Sequence, residues 1–416
     1  MTNITTPLLG LVDVAITGHL GAEYIAAIAV GGNMFNMLYW VFSFLRSGTS
    51  GITSQAYGSR DEELQSATLY RALLGALVIS LAIIAVNRPV LRVFLDWMDV
   101  GGEAGELAAV YFKILIFGSP AFLATYAISG WFIGMQNSRS AMWMSLFINV
   151  TNIVASLTFV YGLGMKIEGV ALGTLTAQWG GFLFGGVVLL RRYHLMRVGR
   201  RRLFDPAELK RLFVVNRDLF LRTVCLVAVT LWFTRVGARE GTLVLAANTL
   251  LMQFFMFFSY FTDGFAYAGE AVCGRFYGEG HGIKLRRTIN RLLIWGLGLS
   301  LAFVAIYGFC GNLILDLLSS DAHVVGLSKE SLVWVVILPL TGFAAFIYDG
   351  IFIGVTRSGH LLISMIVSSA VFFGSYLFLF PRLGNDGLWI AFLLYLLARG
   401  IYLHIAASNL FKTAKA

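Results

Sequence analysis

Charge is what this sequence has least of. Asp, Glu, Lys and Arg make up 13% of its 416 residues, whereas 58% are hydrophobic. Soluble domains carry about 25% charged residues, so the composition excludes an ordinary soluble protein and indicates a membrane one. Proline is scarce too, with 6 residues against 45 glycines. Few prolines suit long unbroken helices, and glycine is the residue that lets membrane helices approach closely. The three cysteines, Cys225, Cys273 and Cys310, lie in separate apolar segments, which excludes a disulfide framework or a CxxC metal site. No GxxxxGK[ST] stretch occurs, so the chain holds no nucleotide cradle of that kind and ATP is not its direct energy source unless another subunit supplies it. No other cofactor motif is present.

What the sequence does have is long apolar runs. A spanning helix needs about 20 mostly apolar residues. Twelve runs qualify or nearly so: 4–18, 26–57, 69–95, 107–134, 139–163, 168–190, 213–237, 243–276, 288–317, 331–355, 360–380 and 386–411. The expected fold class is therefore an all-α membrane protein of twelve transmembrane helices. The runs at 26–57 and 243–276 exceed one bilayer and must tilt, kink or protrude. The first run is short for a crossing, and the numbered chain is expected to begin inside that helix.

The longest polar stretch, RRYHLMRVGRRRLFDPAELKRLFVVNR from Arg191 to Arg217, separates six runs from six. Basic residues mark the cytoplasmic side. With this stretch in the cytoplasm, 19 Lys and Arg fall in cytoplasmic segments and 7 on the opposite side. Both termini then face the cytoplasm, in a multi-pass protein expected in a bacterial cytoplasmic membrane. The net charge of +9 is a topology signal in this reading, and no nucleic-acid surface is inferred. The expected organisation is an N-terminal lobe over 1–190, a basic linker over 191–212 and a C-terminal lobe over 213–416.

The two halves repeat at an offset of 220 residues. Gly21, Ala26, Ala27, Phe35, Tyr57 and Gly58 fall on Gly241, Ala246, Ala247, Phe255, Tyr277 and Gly278. Gly130, Phe132, Ile133, Gly134 and Ser138 fall on Gly350, Phe352, Ile353, Gly354 and Ser358. Two halves of six spans each share one orientation, which is the parallel repeat used by some secondary transporters.

Ionisable residues inside the runs carry the chemistry. Each costs about 2.5–3.5 kcal/mol at a helix centre on insertion scales, and such residues usually face a cavity. The acids are Asp13, Asp263, Glu270 and Asp349; Arg46, Arg222 and Arg399 are the basic counterparts. Asp263 and Glu270 lie seven residues apart, two helical turns, and so share a face. Around them, FFMFFSYFTDGFAYAGEA supplies aromatic rings, Tyr267 among them, suited to flat or cationic molecules. The bland alternative for each ring is core or lipid packing. Arg222 is placed to neutralise either Asp263 or Asp349. In the first half Asn33, Asn36, Asn149, Asn152, Ser156 and Gln178 add polar groups, and the three- and four-residue spacing puts Asn149, Asn152 and Ser156 on one face. Helix–helix hydrogen bonding is the structural alternative for these. A buried carboxylate can be protonated, or ionised and paired, so a proton, a sodium ion or a cationic substrate can compete for it.

The stretches NITTPLLGLVDVAITGHLG, GTSGITSQAYGS, DGFAYAGEA with RFYGEG, and YDGIFIGVTRSG resemble the multidrug and toxic compound extrusion (MATE) transporters, in their DinF branch. The likeness covers nearly the whole chain. It implies a V-shaped pair of six-helix lobes and efflux of cationic or amphipathic organic compounds in exchange for H⁺, with Na⁺ as the alternative. It implies that Asp13 is the coupling carboxylate, that Asn152 belongs to its network, and that Asp263 and Asp349 take part in ion coupling. Ser156 stands where family members often have an Asp, which leans the reading towards H⁺. Arg222 stands where sodium-coupled relatives have a Glu, which weighs against a sodium site there. Asn33, Asn149, Ser156, Gln178, Arg222, Tyr267 and Glu270 are the expected cavity residues. The expected partners are the small-molecule cargo, the coupling ion and membrane lipid, around a monomer without catalytic residues or cofactor. A flippase for a lipid-linked substrate is the alternative; the excess of intramembrane acids over arginines favours cationic cargo. A membrane-embedded enzyme finds no support, because the histidines are scattered.

Overall fold

The structure is a computed structural model that describes residues 22–97 and 101–413. It is all-helical among these residues, with eleven segments long and apolar enough to cross a bilayer. The first predicted run, 4–18, and with it Asp13, lies outside the described residues.

The helices fall into two compact units, Met1–Leu209 and Lys210–Ala416. Unit 1 contains α1 (Ala22–Val41), α2 (Phe44–Gly58), α3 (Glu62–Ala85), α4 (Asn87–Trp97), α5 (Gly102–Leu115), α6 (Ser119–Gly134), α7 (Ser138–Leu157), α8 (Ile167–Arg192) and the short α9 (Arg200–Leu203). Unit 2 contains most of α10 (Pro206–Arg239), then α11 (Thr242–Gly278), α12 (Gly282–Leu318), α13 (Ala322–Glu330), α14 (Leu332–Gly354), α15 (Ser358–Leu383) and α16 (Asn385–Thr413). The overlong run at 26–57 bends between α1 and α2, where Phe42 and Ser43 donate to carbonyls three residues back. The equally long α11 runs unbroken for 37 residues, about 55 Å at 1.5 Å per residue, well beyond a bilayer core of about 30 Å.

The repeat seen in the sequence recurs in several helix boundaries. Gly58, Gly134 and Ser138 in unit 1 answer to Gly278, Gly354 and Ser358 in unit 2. The same packing recurs as well: α2 lies on α6 as α11 lies on α14, and α7 pairs with α8 as α15 pairs with α16. Two glycines show why. A Cβ on Gly130 would come within 2.1 Å of the Arg46 carbonyl oxygen, and one on Gly350 within 2.0 Å of the Ala266 carbonyl oxygen. Arg46 and Ala266 are themselves 220 residues apart. In a membrane there is no hydrophobic gain from pushing helices together, so such backbone approach through van der Waals contact does the work instead. The turn after each contact also repeats, with Gln136 at φ 61° and Thr356 at φ 51°.

Each unit has its own apolar core. In unit 1 Phe35, Tyr111 and Phe112 pack with Leu115 and Ile167. In unit 2 Phe233, Phe258, Trp389 and Phe392 dominate. The basic segment after α8 is fixed to unit 1. Arg71 of α3 is buried and donates from Nε to the Leu203 carbonyl at 2.9 Å and from Nη2 to the Arg202 carbonyl. Arg202 pairs with Asp61 at 3.0 Å, and the Met196 amide donates to Ser66 at 3.0 Å.

Candidate functional site

Unit 2 gathers buried charges around Asp349, in the C-terminal part of α14. Arg222 from α10 and Arg399 from α16 both donate through Nη2 to the same oxygen, Oδ2. The sequence left Arg222 between two acids; the structure pairs it with Asp349. The Arg399 side chain is 2% exposed and that of Arg222 19%. Arg399 also lies over the ring of Phe346, 5.7 Å from its centroid, which adds a cation–π contact in a dry setting. Asp349 Oδ1 has no hydrogen-bond partner among the described residues. Asp263, half-buried on α11, is within electrostatic reach of Arg399. The two arginines and two acids therefore balance in charge. This is how a bilayer-buried ion is tolerated: it is paired where its charge is cancelled.

Glu270 follows Asp263 by two turns on the same unbroken helix and is buried, while Tyr267 is half-buried. The Glu270 carbonyl oxygen sits 2.6 Å from where a Gly354 Cβ would be, so this acid lies at the close crossing of α11 and α14.

Unit 1 holds a different, uncharged set. Asn149, Asn152 and Ser156 are buried on α7, and Gln178 is buried on α8. Asn152 Nδ2 donates to Thr174 Oγ1 at 2.8 Å. Ser156 Oγ lies 2.1 Å from the position of a Gly173 Cβ, and Gln178 Oε1 lies 1.8 Å from that of Gly118, so glycines make the room for both. Asn149 Nδ2, Asn152 Oδ1, Ser156 Oγ and Gln178 Oε1 have no hydrogen-bond partner among the described residues. Buried polar atoms are nearly always hydrogen-bonded, which makes these four side chains the candidates in unit 1 for a polar role. Asn33, on α1, is exposed and does not join this set. Asp13 lies outside the described residues.

Three features escaped the sequence reading. Arg399 was counted only as one internal base, although its place in LLYLLARGIYLHIAA was signal enough for a partner. Asp218 is buried at 3% exposure and accepts from Ser358 Oγ at 2.9 Å and from Arg217 at 2.8 Å. Its neighbour Arg217 made it resemble a surface residue. Tyr348 and His404 share a 2.7 Å hydrogen bond, a pairing between distant helices that no local pattern announces. No group of three or more His, Cys, Asp or Glu among the described residues could hold a metal ion.

A duplicated bundle of spanning helices with ionisable groups paired in its interior defines a multi-pass integral membrane protein of the inner-repeat type. Comparison with known proteins narrows this. The family model described as MatE matches residues 1–158 and 218–374. DNA damage-inducible protein F of Escherichia coli (strain K12) is 35% identical over 406 residues, 97% of this chain and 88% of that protein. The probable multidrug resistance protein NorM of Geobacillus kaustophilus (strain HTA426) is 26% identical over 244 residues, 55% of this chain and 53% of that protein. A solved multidrug resistance MATE family transporter of the MOP superfamily, in an outward-facing conformation, superposes with a TM-score of 0.88 at 22% identity, covering 100% of this chain and 94% of that one. The chain belongs to the MatE family.

Proposed function

We propose that the protein is a secondary antiporter that exports cationic or amphipathic organic compounds in exchange for H⁺, by alternating access of its two repeats. The observation that carries this reading is the set of ionisable and polar groups buried in both units of a MatE-family membrane protein. The relatives named for multidrug resistance support the cargo class. Ion coupling is assigned to Asp13 with the open polar set of unit 1, in which Ser156 takes the place of a second carboxylate; this favours H⁺ over Na⁺. In unit 2, Asp349 and Asp263 together balance Arg222 and Arg399, and ion coupling in this unit is assigned to these two acids, since protonating either one shifts that balance. Tyr267 and the other rings of α11 then offer the aromatic surface for a cation, with Glu270 as the acid on the same helix. The 19-to-7 bias in basic residues supports a bacterial cytoplasmic membrane with both termini inside.

One observation favours a second reading. Two arginines converge on a single carboxylate in unit 2, a setting that could also receive an anionic group. A flippase for a lipid-linked substrate is therefore the alternative.

Proteoliposomes loaded with a fluorescent cationic dye separate the two. Dye movement driven by a pH gradient, and lost in Asp13→Asn, is the expected result. Movement under a sodium gradient alone would overturn the choice of ion. No dye movement under either gradient would sink the cation antiporter and leave the flippase.

A further inference from the structure

At the end of unit 1 that carries the basic segment, α2, the turn before α7 and the end of α8 line an open cleft of about 390 Å³. Its walls include Tyr57, Asn137, Ser138, Arg139, Arg192 and Tyr193. Arg139 and Arg192 are exposed, and neither forms an ion pair with a described residue. No carboxylate lines the cleft. The wall is braced, because Asn137 Nδ2 donates to the Tyr193 hydroxyl at 2.8 Å and Tyr193 packs edge-on against Trp131 at 4.8 Å. Two guanidiniums without an ion pair to a described residue, a serine hydroxyl and the braced Tyr193 hydroxyl are donors of the kind a phosphate group requires.

The second copy of the repeat shows how its own helix start is paired. The 220-residue offset sets Ser138 against Ser358 and Tyr57 against Tyr277. In unit 2 the corresponding helix start is occupied by a carboxylate: Asp218 is buried there, accepting from Ser358 Oγ at 2.9 Å and from Arg217. At the start of α7, unit 1 presents Arg139 and Arg192.

We propose that this cleft is a phosphate-binding site for the headgroup of an anionic phospholipid. The basic run from Arg191 to Arg202 beside it is of the kind that draws anionic headgroups to the ends of membrane helices. The same donors suit free inorganic phosphate, so the test has two arms. Purified full-length protein is titrated with phosphatidylglycerol and read by native mass spectrometry, and separately with inorganic phosphate by calorimetry. The variants are Arg139→Gln/Arg192→Gln in the cleft and Arg197→Gln/Arg201→Gln outside it, which remove equal charge. Circular dichroism checks that both fold. The site predicts that the cleft variant binds phosphatidylglycerol at least tenfold more weakly while the outer variant changes less than threefold. The same contrast in the phosphate arm alone assigns the site to the free anion. Equal losses in both variants would mean a diffuse basic surface and overturn the site, as would unchanged binding in the cleft variant in both arms.

Discussion

Removing the carboxylate from the Arg222–Asp349–Arg399 cluster should damage the protein far more than removing either arginine. In Asp349→Asn two guanidiniums remain, one 2% exposed and one 19% exposed, with their shared acceptor oxygen replaced by a neutral amide. Stripping one partner from a buried pair costs about 3–5 kcal/mol, and here the survivors also repel each other. In Arg399→Met the Arg222–Asp349 pair persists and only the half-buried Asp263 loses its counter-charge, so a smaller cost of about 1–2 kcal/mol is expected for the lost hydrogen bond and packing. Each unit is of about 200 residues, for which 1 kcal/mol moves Tm by about 2–4 °C. Asp349→Asn should therefore lower Tm by roughly 8–15 °C and Arg399→Met by roughly 3–6 °C. Thermal unfolding in detergent, followed through the nine tryptophans, reads both. A double variant, Asp349→Leu/Arg399→Met, should lose less than the two single losses combined, because only the partly exposed Arg222 is left behind. If Asp349→Asn melts no lower than Arg399→Met, or if the double variant loses the full combined amount, the charge-balance argument is wrong.

Three further outcomes follow from the packing and the surface. Gly130→Ala and Gly350→Ala, whose new methyls would meet a backbone carbonyl, should each cost about 2–3 kcal/mol or more in the same melting assay. Gly298→Ala on α12, with open space around it, should be neutral or stabilising by up to about 1 kcal/mol; the reverse order would refute the close crossings. Arg71→Met frees the carbonyls of Arg202 and Leu203, so trypsin should cut the 197–202 segment several-fold faster than in the wild type, judged by gel fragments. Just beyond the end of α11, Glu279 accepts from Arg275 at 2.7 Å, and this hydrogen bond holds its carboxyl below the usual range. A depressed folded value means stabilisation that is complete above the ordinary glutamate range and lost as pH falls through the folded value. Glu279→Gln should thus melt slightly lower than wild type at neutral pH, by no more than about 0.5 kcal/mol, and equally at low pH; a gap that widens on acidification would contradict this.

Much of the scaffold was legible in advance because its causes are local or periodic. Runs of about 20 apolar residues mark spanning helices without reference to their neighbours, and glycines such as Gly130 and Gly350 betray the repeat by recurring at one offset. The site was legible in its members and not in its pairings. An aspartate in FAAFIYDGIFIG is conspicuous, but which arginine answers it depends on how α10, α14 and α16 pack, and those helices are far apart in the chain. Spacing placed Asn149, Asn152 and Ser156 on one face, and the structure buries all three. It could not say that Asn33, equally polar and in an equally apolar run, would be exposed. Asp218 was overlooked for the converse reason: beside a basic residue at a helix end, burial leaves no trace in the sequence.

The duplicated crossings give the protein an internal control. Gly130 and Gly350 do the same mechanical task against the same backbone, yet the residue beside Gly350 is Asp349 and its counterpart beside Gly130 is Ser129. Ser50 and Glu270 stand in the same relation at the next contact along. A substitution made at matched positions in the two halves strains the two scaffolds alike. Whatever differs between the two responses is then due to the charges that one half has and the other lacks. Steric and electrostatic effects are thus separable by experiment within a single chain.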